Sequence, residues 1–267
     1  MPFQWHTLHQ TLKLRPMRRC KLVMVAVAIA AVCLIPDLPV IAAQVFGFWR
    51  GPVIQNTPPP TEFVVARWRY STNGNIGGMG WAHNYPEGEM HLNQFIRGVT
   101  NINVEPLSYR IVNLSSDEVF EYPFALVSEP GEMRLNEKEF ANLREYINRG
   151  GFVLIDDFDG PWQFDNFRRQ MYQAFPSQQL QRLTAAHPAF NLFYEIESLT
   201  IFANYVPGDE PIFFGLNNEN GTLAIVACFN NDLENFWDWI GSPAYPLRPA
   251  TEAFRVGANL AIYSMTH

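Results

Sequence analysis

The stretch that decides the fold is residues 118–160, which read EVFEYPFALVSEPGEMRLNEKEFANLREYINRGGFVLIDDFDG. A short apolar strand, Phe124–Val127, leads through a loop to an amphipathic helix, and a second apolar strand, Phe152–Ile155, follows that helix. The second strand runs into an acidic cluster of Asp156, Asp157 and Asp159. This order predicts a βαβ unit with acidic side chains at the carboxyl end of a parallel strand, where open α/β sheets hold ligands.

The helix of this unit carries a recognisable signal at each end. Asn136 predicts the N-cap, and Glu139 three residues later completes a capping-box pattern. Gly150 predicts the end of the helix, because glycine accepts the left-handed conformation that terminates many helices. The apolar side chains at helical spacing, which we expect to face the sheet, are Phe140, Leu143 and Ile147.

The rest of the chain continues to alternate predicted strands and helices. Further strands are predicted at Phe63–Tyr70, Leu107–Leu114 and Glu195–Ala203, and helices at His91–Val99, Phe164–Phe175, Asn231–Ile240 and Thr251–Met265. Two late strands, Ile212–Leu216 and Thr222–Phe229, flank Asn220-Gly221 and predict an antiparallel hairpin. The alternation predicts a three-layer α/β fold, in which helices cover both faces of a mostly parallel open sheet.

The amino-terminal region has the pattern of an export signal. It is basic up to Lys21, has an apolar run of 14 residues at Leu22–Ile35, and ends in small residues at Ala42-Ala43. We predict a signal peptide at residues 1–43, with an uncleaved membrane anchor as the alternative and either Met1 or Met17 as the start. A proline-rich linker at 44–61 and a single α/β domain at 62–267 would follow.

Composition narrows the class of partner. The formal net charge is −7, and removal of the basic leader makes the remainder more acidic, which argues against nucleic acid as a partner. Of the three cysteines, only Cys228 lies beyond the leader, so the exported chain has no pair for an internal disulfide. We therefore expect the partner to be an envelope protein or a small ligand, with membrane contact only through a retained leader.

Candidate ligand residues lie in two loops besides the acidic cluster. The glycine-rich stretch Ser71–Glu89 follows the first predicted strand and contains Trp81 and His83, and Tyr70 ends that strand. A flexible binding loop and a plain surface loop both remain open, since the stretch matches no Walker or Rossmann pattern. His187, before Pro188, is either a metal ligand or base, or a loop histidine bonded to the backbone.

The acidic cluster has three interpretations. Crowded carboxylates at Asp156, Asp157 and Asp159 repel one another unless a cation, hydrogen bonds or protonation relieves them. They form a ligand or divalent-metal site, supply a catalytic base, or are structural, with Asp157 or Asp159 capping the next helix and Asp156 pairing with an arginine. No organic cofactor is expected, and a divalent cation is possible.

Several residues also resemble a known family. They are Tyr122-Pro123-Phe124, Glu139, Leu143-Arg144, Tyr146, Gly150-Gly151-Phe152 and Asp156-Asp157, together with Arg67-Trp68-Arg69-Tyr70, Trp81 and His187-Pro188-x-Phe190. This pattern resembles the bacterial family called domain of unknown function 4159. The resemblance covers about residues 62–267. It implies a class I glutamine-amidotransferase-like, flavodoxin-like fold in exported or membrane-anchored proteins, often encoded near MoxR-type ATPases and von Willebrand A-domain proteins.

The sequence lacks the catalytic motif of the amidotransferases to which that family is compared. Their cysteine nucleophile needs a sharp glycine-flanked turn, whereas Cys228 lies in Val226-Ala227-Cys228-Phe229-Asn230. We therefore predict that Cys228 is a core residue. The leading hypothesis is a non-catalytic binding or scaffold module of the periplasm or envelope. The alternative is a metal-assisted hydrolase of an envelope substrate, acting through the acidic cluster and His187.

Overall fold

The protein folds around one mixed sheet with helices on both of its faces. The structure is a computed structural model, and it describes residues 53–74, 77–200 and 209–267. Within these residues, seven strands pair in the order β2-β1-β3-β4-β7-β6-β5. They are β1 (Val65–Arg69), β2 (Tyr109–Asn113), β3 (Phe124–Ser128), β4 (Phe152–Phe158), β5 (Gln181–Arg182), β6 (Ile212–Asn217) and β7 (Leu223–Phe229).

The first five strands of this order are parallel, and the last two are not. β2, β1, β3, β4 and β7 pair in parallel, while β6 runs antiparallel to β7 and to β5. Counted along the chain, the parallel strands have the order 2-1-3-4-5 of flavodoxin-like sheets, whose ligand crevice lies between β1 and β3 at the carboxyl edge. The predicted α/β fold with a late antiparallel hairpin is confirmed.

Five α-helices cover the sheet in the described part of the chain. They are α1 (Glu87–Val99), α2 (Glu137–Asn148), α3 (Gly160–Ala174), α4 (Leu233–Asp238) and α5 (Leu247–Thr266). Buried apolar residues of α1, α4 and α5 pack with one another in one core, and those of α2 and α3 pack in a second. Alternate side chains of each parallel strand enter the two cores, which explains why these strands are apolar without a polar face.

The α2 helix agrees with its sequence signals. The Asn136 side chain accepts hydrogen bonds from the backbone of Lys138 and Glu139, and the Glu139 carboxylate accepts one from Asn136 N–H, so the capping box is complete. Phe140, Leu143 and Ile147 are buried against the sheet. Gly150 has a φ of 94°, the left-handed conformation predicted at the end of this helix.

Three helices begin earlier than apolar spacing predicts. α1 starts at Glu87 rather than His91, and its first turn holds Glu87 and Glu89, which stabilise the positive end of the helix dipole. α3 starts at Gly160 rather than Phe164, with a proline in its first turn, where the missing N–H costs nothing. α5 starts at Leu247 rather than Thr251. Glycine, proline or charged residues interrupt the apolar periodicity in these first turns, so the helix starts were not detected.

Other element boundaries also differ from the predictions. No strand forms at residues 195–200, and the rest of the strand predicted at Glu195–Ala203 lies outside the described residues. The two-residue strand β5 was missed, because a pair such as Gln181–Arg182 has no periodicity to detect. The acidic pair Asp156-Asp157 lies inside β4 rather than beyond it, since β4 continues to Phe158 with a register shift after Ile155.

The amino-terminal end of the described chain lies along β2. The Gln55 side chain exchanges two hydrogen bonds with the backbone of Ile111, at 2.8 Å and 3.1 Å. Asn56 donates to the carbonyls of Leu107 and Tyr109 at 2.7 Å and 2.8 Å. The predicted leader and the start of the linker lie outside the described residues. In the part that is described, no helix has the length and apolar character to cross a bilayer.

Candidate functional site

The candidate site lies at the carboxyl edge of the parallel strands. There the backbone enters the left-handed region at three residues other than glycine, with φ of 51° at Glu129, 63° at Asp157 and 53° at Asn230. These residues follow β3, lie near the end of β4 and follow β7. Such conformations are uncommon outside glycine and collect at ligand sites. At Asp157 this conformation coincides with the shift in strand register, so regular pairing is interrupted at the edge.

Three side chains from separate segments meet at this edge. They are His83, from the glycine-rich loop, Glu129 and Asp157. His83 Nδ1 is hydrogen-bonded to the Asp157 carboxylate and lies 3.9 Å from the Glu129 carboxylate. One ligand atom from each residue lies within 4.8 Å of the other two. Their side chains are 11%, 9% and 13% exposed, so the cluster is largely enclosed and still open to solvent.

A buried arginine lies on β1 near this cluster. Arg67 is fully buried and forms ion pairs with Glu89 of α1, at 2.6 Å, and with Glu234 of α4. The hydroxyl of Ser128 donates to the second carboxylate oxygen of Glu234 at 2.6 Å. Burial opposes the charge of Arg67, but the charges of Glu234 and Glu89 outweigh it and raise the arginine pKa above its ordinary value. These bonds connect α1 and α4 to β1 and β3.

Two buried aspartates complete the edge. Asp156 Oδ2 accepts a hydrogen bond from Glu234 N–H at 2.9 Å, whereas Oδ1 has no hydrogen-bond partner in the structure. Asp232 accepts one from Asn235 N–H at 2.8 Å. Burial raises the pKa of Asp156 well above its usual range, with the charge of Glu234 adding to it, and burial does the same for Asp232. Both carboxyls therefore favour the uncharged form.

The pKa values of Glu129, Glu234 and His83 are also shifted from their ordinary values. Burial raises the pKa of Glu129 well above its ordinary value, and the charges of Asp157 and Glu132 add to this. Burial, partly offset by Arg67, raises the pKa of Glu234 to about 7. Burial lowers the pKa of His83, but the charge and hydrogen bond of Asp157 raise it more, so the net direction is upward. Perturbed groups of this kind collect at functional sites.

The other predicted ligand residues take different places. Tyr70 is buried and its hydroxyl lies 2.7 Å from the carbonyls of Ser128 and Glu129, so it fixes the turn after β3. Trp81 is buried, and the guanidinium of Arg69 stacks 5.3 Å from its ring centroid. Tyr70 and Trp81 therefore hold neighbouring segments in place and are not members of the His83, Glu129 and Asp157 cluster.

Asp159 and His187 have local roles. Asp159 occupies the N-cap position of α3, although its side chain forms no capping hydrogen bond there. His187 accepts a hydrogen bond from Ala189 N–H at 3.2 Å and packs its ring against Phe190. It does not belong to the metal-capable group of the described residues, which contains His83 instead. The expectation that Asp156 pairs with an arginine was wrong, because Arg67 pairs with Glu89 and Glu234.

Sequence reasoning missed Arg67, Glu129, Asp232 and Glu234 as site residues. A signal was available for Glu129 and Asp232, since each is an acidic residue just beyond an apolar strand. Ser128 and Asp156 also occupy paired positions on neighbouring strands. For Glu234 and Arg67 the sequence held no signal, since their pairing joins residues 167 positions apart.

Cys228 is a core residue, as predicted. It is fully buried in β7, and burial raises its pKa, with the charge and a side-chain hydrogen bond of Asp156 adding to the effect. The turn that most resembles a nucleophile elbow follows β3, where Glu129 has positive φ before a short helical turn at Pro130–Glu132. The residue at this elbow-like turn is therefore a glutamate rather than a nucleophilic cysteine or serine.

The part of the chain that forms the sheet and the candidate site matches a known family. The family model described as Domain of unknown function (DUF4159) matches residues 64–265. The chain belongs to this family. The DUF4159 region contains all seven strands and the residues His83, Glu129 and Asp157. No curated protein matches the chain. The family carries no assigned activity, so the function of this DUF4159 domain has to be argued from its site.

Proposed function

We propose that this DUF4159 domain is a non-catalytic binding module of the bacterial cell envelope, and that it captures a small, positively charged ligand. The observation that carries the proposal is the convergence of His83, Glu129 and Asp157 at the carboxyl edge. This edge is where parallel α/β sheets bind ligands, at the point where the strand order reverses between β1 and β3. The basic and apolar leader pattern supports export to the envelope.

The charge around the cluster favours a cationic ligand. Acidic side chains dominate the edge, namely Glu89, Glu129, Glu132, Asp156, Asp157, Asp159, Asp232 and Glu234. The guanidinium of Arg67 is already occupied by two of them. Asp156 and Asp232 favour the uncharged form, so the other carboxylates of this partly enclosed site are the ones that attract a cation and repel an anion. Ligand binding without covalent catalysis is favoured because the Cys228 thiol is fully buried in the core and cannot reach a substrate.

Thermal melts of metal-free protein test this proposal. The purified chain, treated with a chelator, is melted with a polyamine, a basic dipeptide, an amino sugar and a dicarboxylate. We expect a cationic compound to raise the melting temperature by several degrees and the dicarboxylate to have no effect. His83→Gln should reduce the shift, and Arg182→Gln, at the exposed β5 edge, should not. The absence of any shift with every organic cation and every metal salt would contradict the proposal.

A second candidate is a metal-assisted hydrolase of an envelope substrate. The observation that favours it is the hydrogen bond of His83 with Asp157, an arrangement that orients a histidine for proton transfer. Chromogenic phosphate and acetyl esters, incubated with the protein and Zn²⁺ or Mn²⁺, test it. Turnover that disappears in His83→Gln would establish the hydrolase. Binding without turnover would leave the binding module as the function.

A further inference from the structure

We propose that His83, Glu129 and Asp157 form a binding site for a divalent first-row transition metal ion such as Zn²⁺ or Mn²⁺. The inference rests on the proposed function and narrows its cationic ligand to a metal. Nothing in the family description assigns such a site. The ligand set also differs from the acidic run in the sequence, because it takes Asp157 from that run and adds residues from the glycine-rich loop and the end of β3.

The ligand chemistry selects the class of metal. One imidazole nitrogen and two carboxylates form a mixed nitrogen and oxygen set, which suits Zn²⁺ and Mn²⁺, whereas Mg²⁺ and Ca²⁺ prefer oxygen alone. The three ligand atoms lie within 4.8 Å of one another. Metal–ligand bonds of about 2.0–2.2 Å bring neighbouring ligand atoms to roughly 3–3.5 Å. Rotation about terminal side-chain bonds, which are soft in Asp and Glu, supplies the difference.

The environment of Glu129 is an independent indication of a ligand. This residue is 7% exposed, and its carboxyl group lies 3.9 Å from His83 Nδ1 and is hydrogen-bonded to the Asp157 carboxyl. No backbone N–H in the described part of the chain donates to it. Two nearby glutamates differ. Glu132 accepts from Gly78 and Gly80 N–H at 2.9 Å and 3.0 Å, and Glu139 accepts from Ser71 N–H at 2.8 Å.

Unlike Glu132 and Glu139, Glu129 lacks a backbone hydrogen-bond donor among the described residues, and a bound cation would supply the missing interaction. A buried carboxylate without backbone donors is costly unless protonation or a cation compensates it, and a cation at this point can displace the proton. Glu129 is directed into the cluster, at the point where a cation would also contact His83 and Asp157. The backbone holds it there, because Glu129 N–H donates to the Asp156 carbonyl at 3.2 Å. A Cβ at Gly80 would lie 2.6 Å from Glu129 Cβ, so the loop that carries His83 packs directly on this residue.

Calorimetry and thermal melts with metal salts test the inference. The purified tag-free chain, stripped of metal, is titrated with ZnCl₂, MnCl₂, MgCl₂ and CaCl₂. We expect Zn²⁺ or Mn²⁺ to bind at one ion per chain, at least ten-fold more tightly than Mg²⁺ or Ca²⁺, and to raise the melting temperature by several degrees. His83→Gln, Glu129→Gln and Asp157→Asn should each remove the shift.

The matched control is Asp165→Asn, which neutralises an exposed acid on α3 outside the carboxyl edge and should keep the full metal response. Glu129→Gln keeps the size and polarity of a side chain whose ionisation burial already opposes, so its metal-free melting temperature should equal or exceed that of the wild type and shows that the variant folds. Equal responses in wild type and all three ligand variants would overturn the site, as would no metal response at all. A protein that responds to an organic cation but to none of the four metal salts would overturn this inference alone and leave the proposed function standing.

Discussion

At the residue scale, the carboxyl edge contains acids that folding places in an unfavourable environment. Asp156 is fully buried, its Oδ1 has no hydrogen-bond partner among the described residues, and the charge of Glu234 lies beside it. Burial therefore favours protonated Asp156 in the folded protein, while the unfolded chain ionises it near its ordinary pKa. The folded state binds the proton more tightly, so stability from this residue is present at low pH and is lost as pH rises through the interval between the two pKa values.

Asp156→Asn tests this linkage. Asparagine keeps an oxygen for Glu234 N–H and never ionises. The variant's free energy of unfolding relative to wild type should therefore rise as pH increases above the ordinary pKa of aspartate, and level off once pH passes the raised pKa of folded Asp156. Urea melts of metal-free protein across this range measure it. Asp165→Asn, on the exposed side of α3, is the control and should show no such trend. Parallel pH profiles for Asp156→Asn and wild type would contradict the assignment.

Cys228 provides a second prediction at this scale. The thiol is fully buried, and burial raises its pKa, so little reactive thiolate should be present at neutral pH. A thiol reagent should label Cys228 only after denaturation, and Cys228→Ala should leave ligand binding intact while lowering stability modestly. Rapid labelling of the native protein would instead restore the nucleophile interpretation.

At the element scale, α2 shows how packing and capping differ in energy. Leu143 is 2% exposed and packs in the core beneath the helix, whereas Asn136 supplies only the cap. Leu143→Ala should destabilise the protein by about 2–5 kcal/mol, through lost transfer energy and a cavity. Asn136→Ala should cost about 1 kcal/mol. Denaturant melts of both variants compare them, and a larger loss for the cap variant would show that the helix is packed differently.

The elements that form the site are connected by buried polar bonds. Glu234 of α4 accepts from Arg67 of β1 and Ser128 of β3, and its backbone N–H donates to Asp156 of β4. A single residue thus contacts three neighbouring strands at their carboxyl ends. Buried charges are stabilised when they are paired and hydrogen-bonded, so this arrangement sets the position of α4 relative to the sheet edge.

At the scale of the whole molecule, the pattern of residues 1–43 leads to a prediction about export and processing. The predicted leader begins with a basic segment, continues with an apolar run of 14 residues and ends in the small residues Ala42-Ala43. We expect the mature protein to begin near Ala43 or Gln44 and to appear in the periplasmic fraction. Amino-terminal sequencing of protein from cell fractions measures this. Recovery of the intact leader from the membrane fraction would establish the anchored alternative.

Sequence alone determined the fold class and the central βαβ unit of this protein. The capping box at Asn136, the apolar face of α2 and the hairpin at Asn220-Gly221 are local patterns, and local hydrogen bonds and side-chain spacing decide them. The buried state of Cys228 followed in the same way from an apolar strand without glycine. These predictions succeeded because the interacting residues lie within a few positions of one another in the chain.

Only the tertiary structure decided which polar residues meet. His83 and Asp157 lie 74 positions apart, and the sequence pointed to His187 as readily as to His83. The turns at Glu129 and Asp157 depend on a left-handed backbone conformation, which cannot be predicted from the type of residue. Parallel strands connected by helices bring their carboxyl ends together from distant parts of the chain, so a site at that edge has no sequence spacing of its own. Its members become visible only when the sheet order is known.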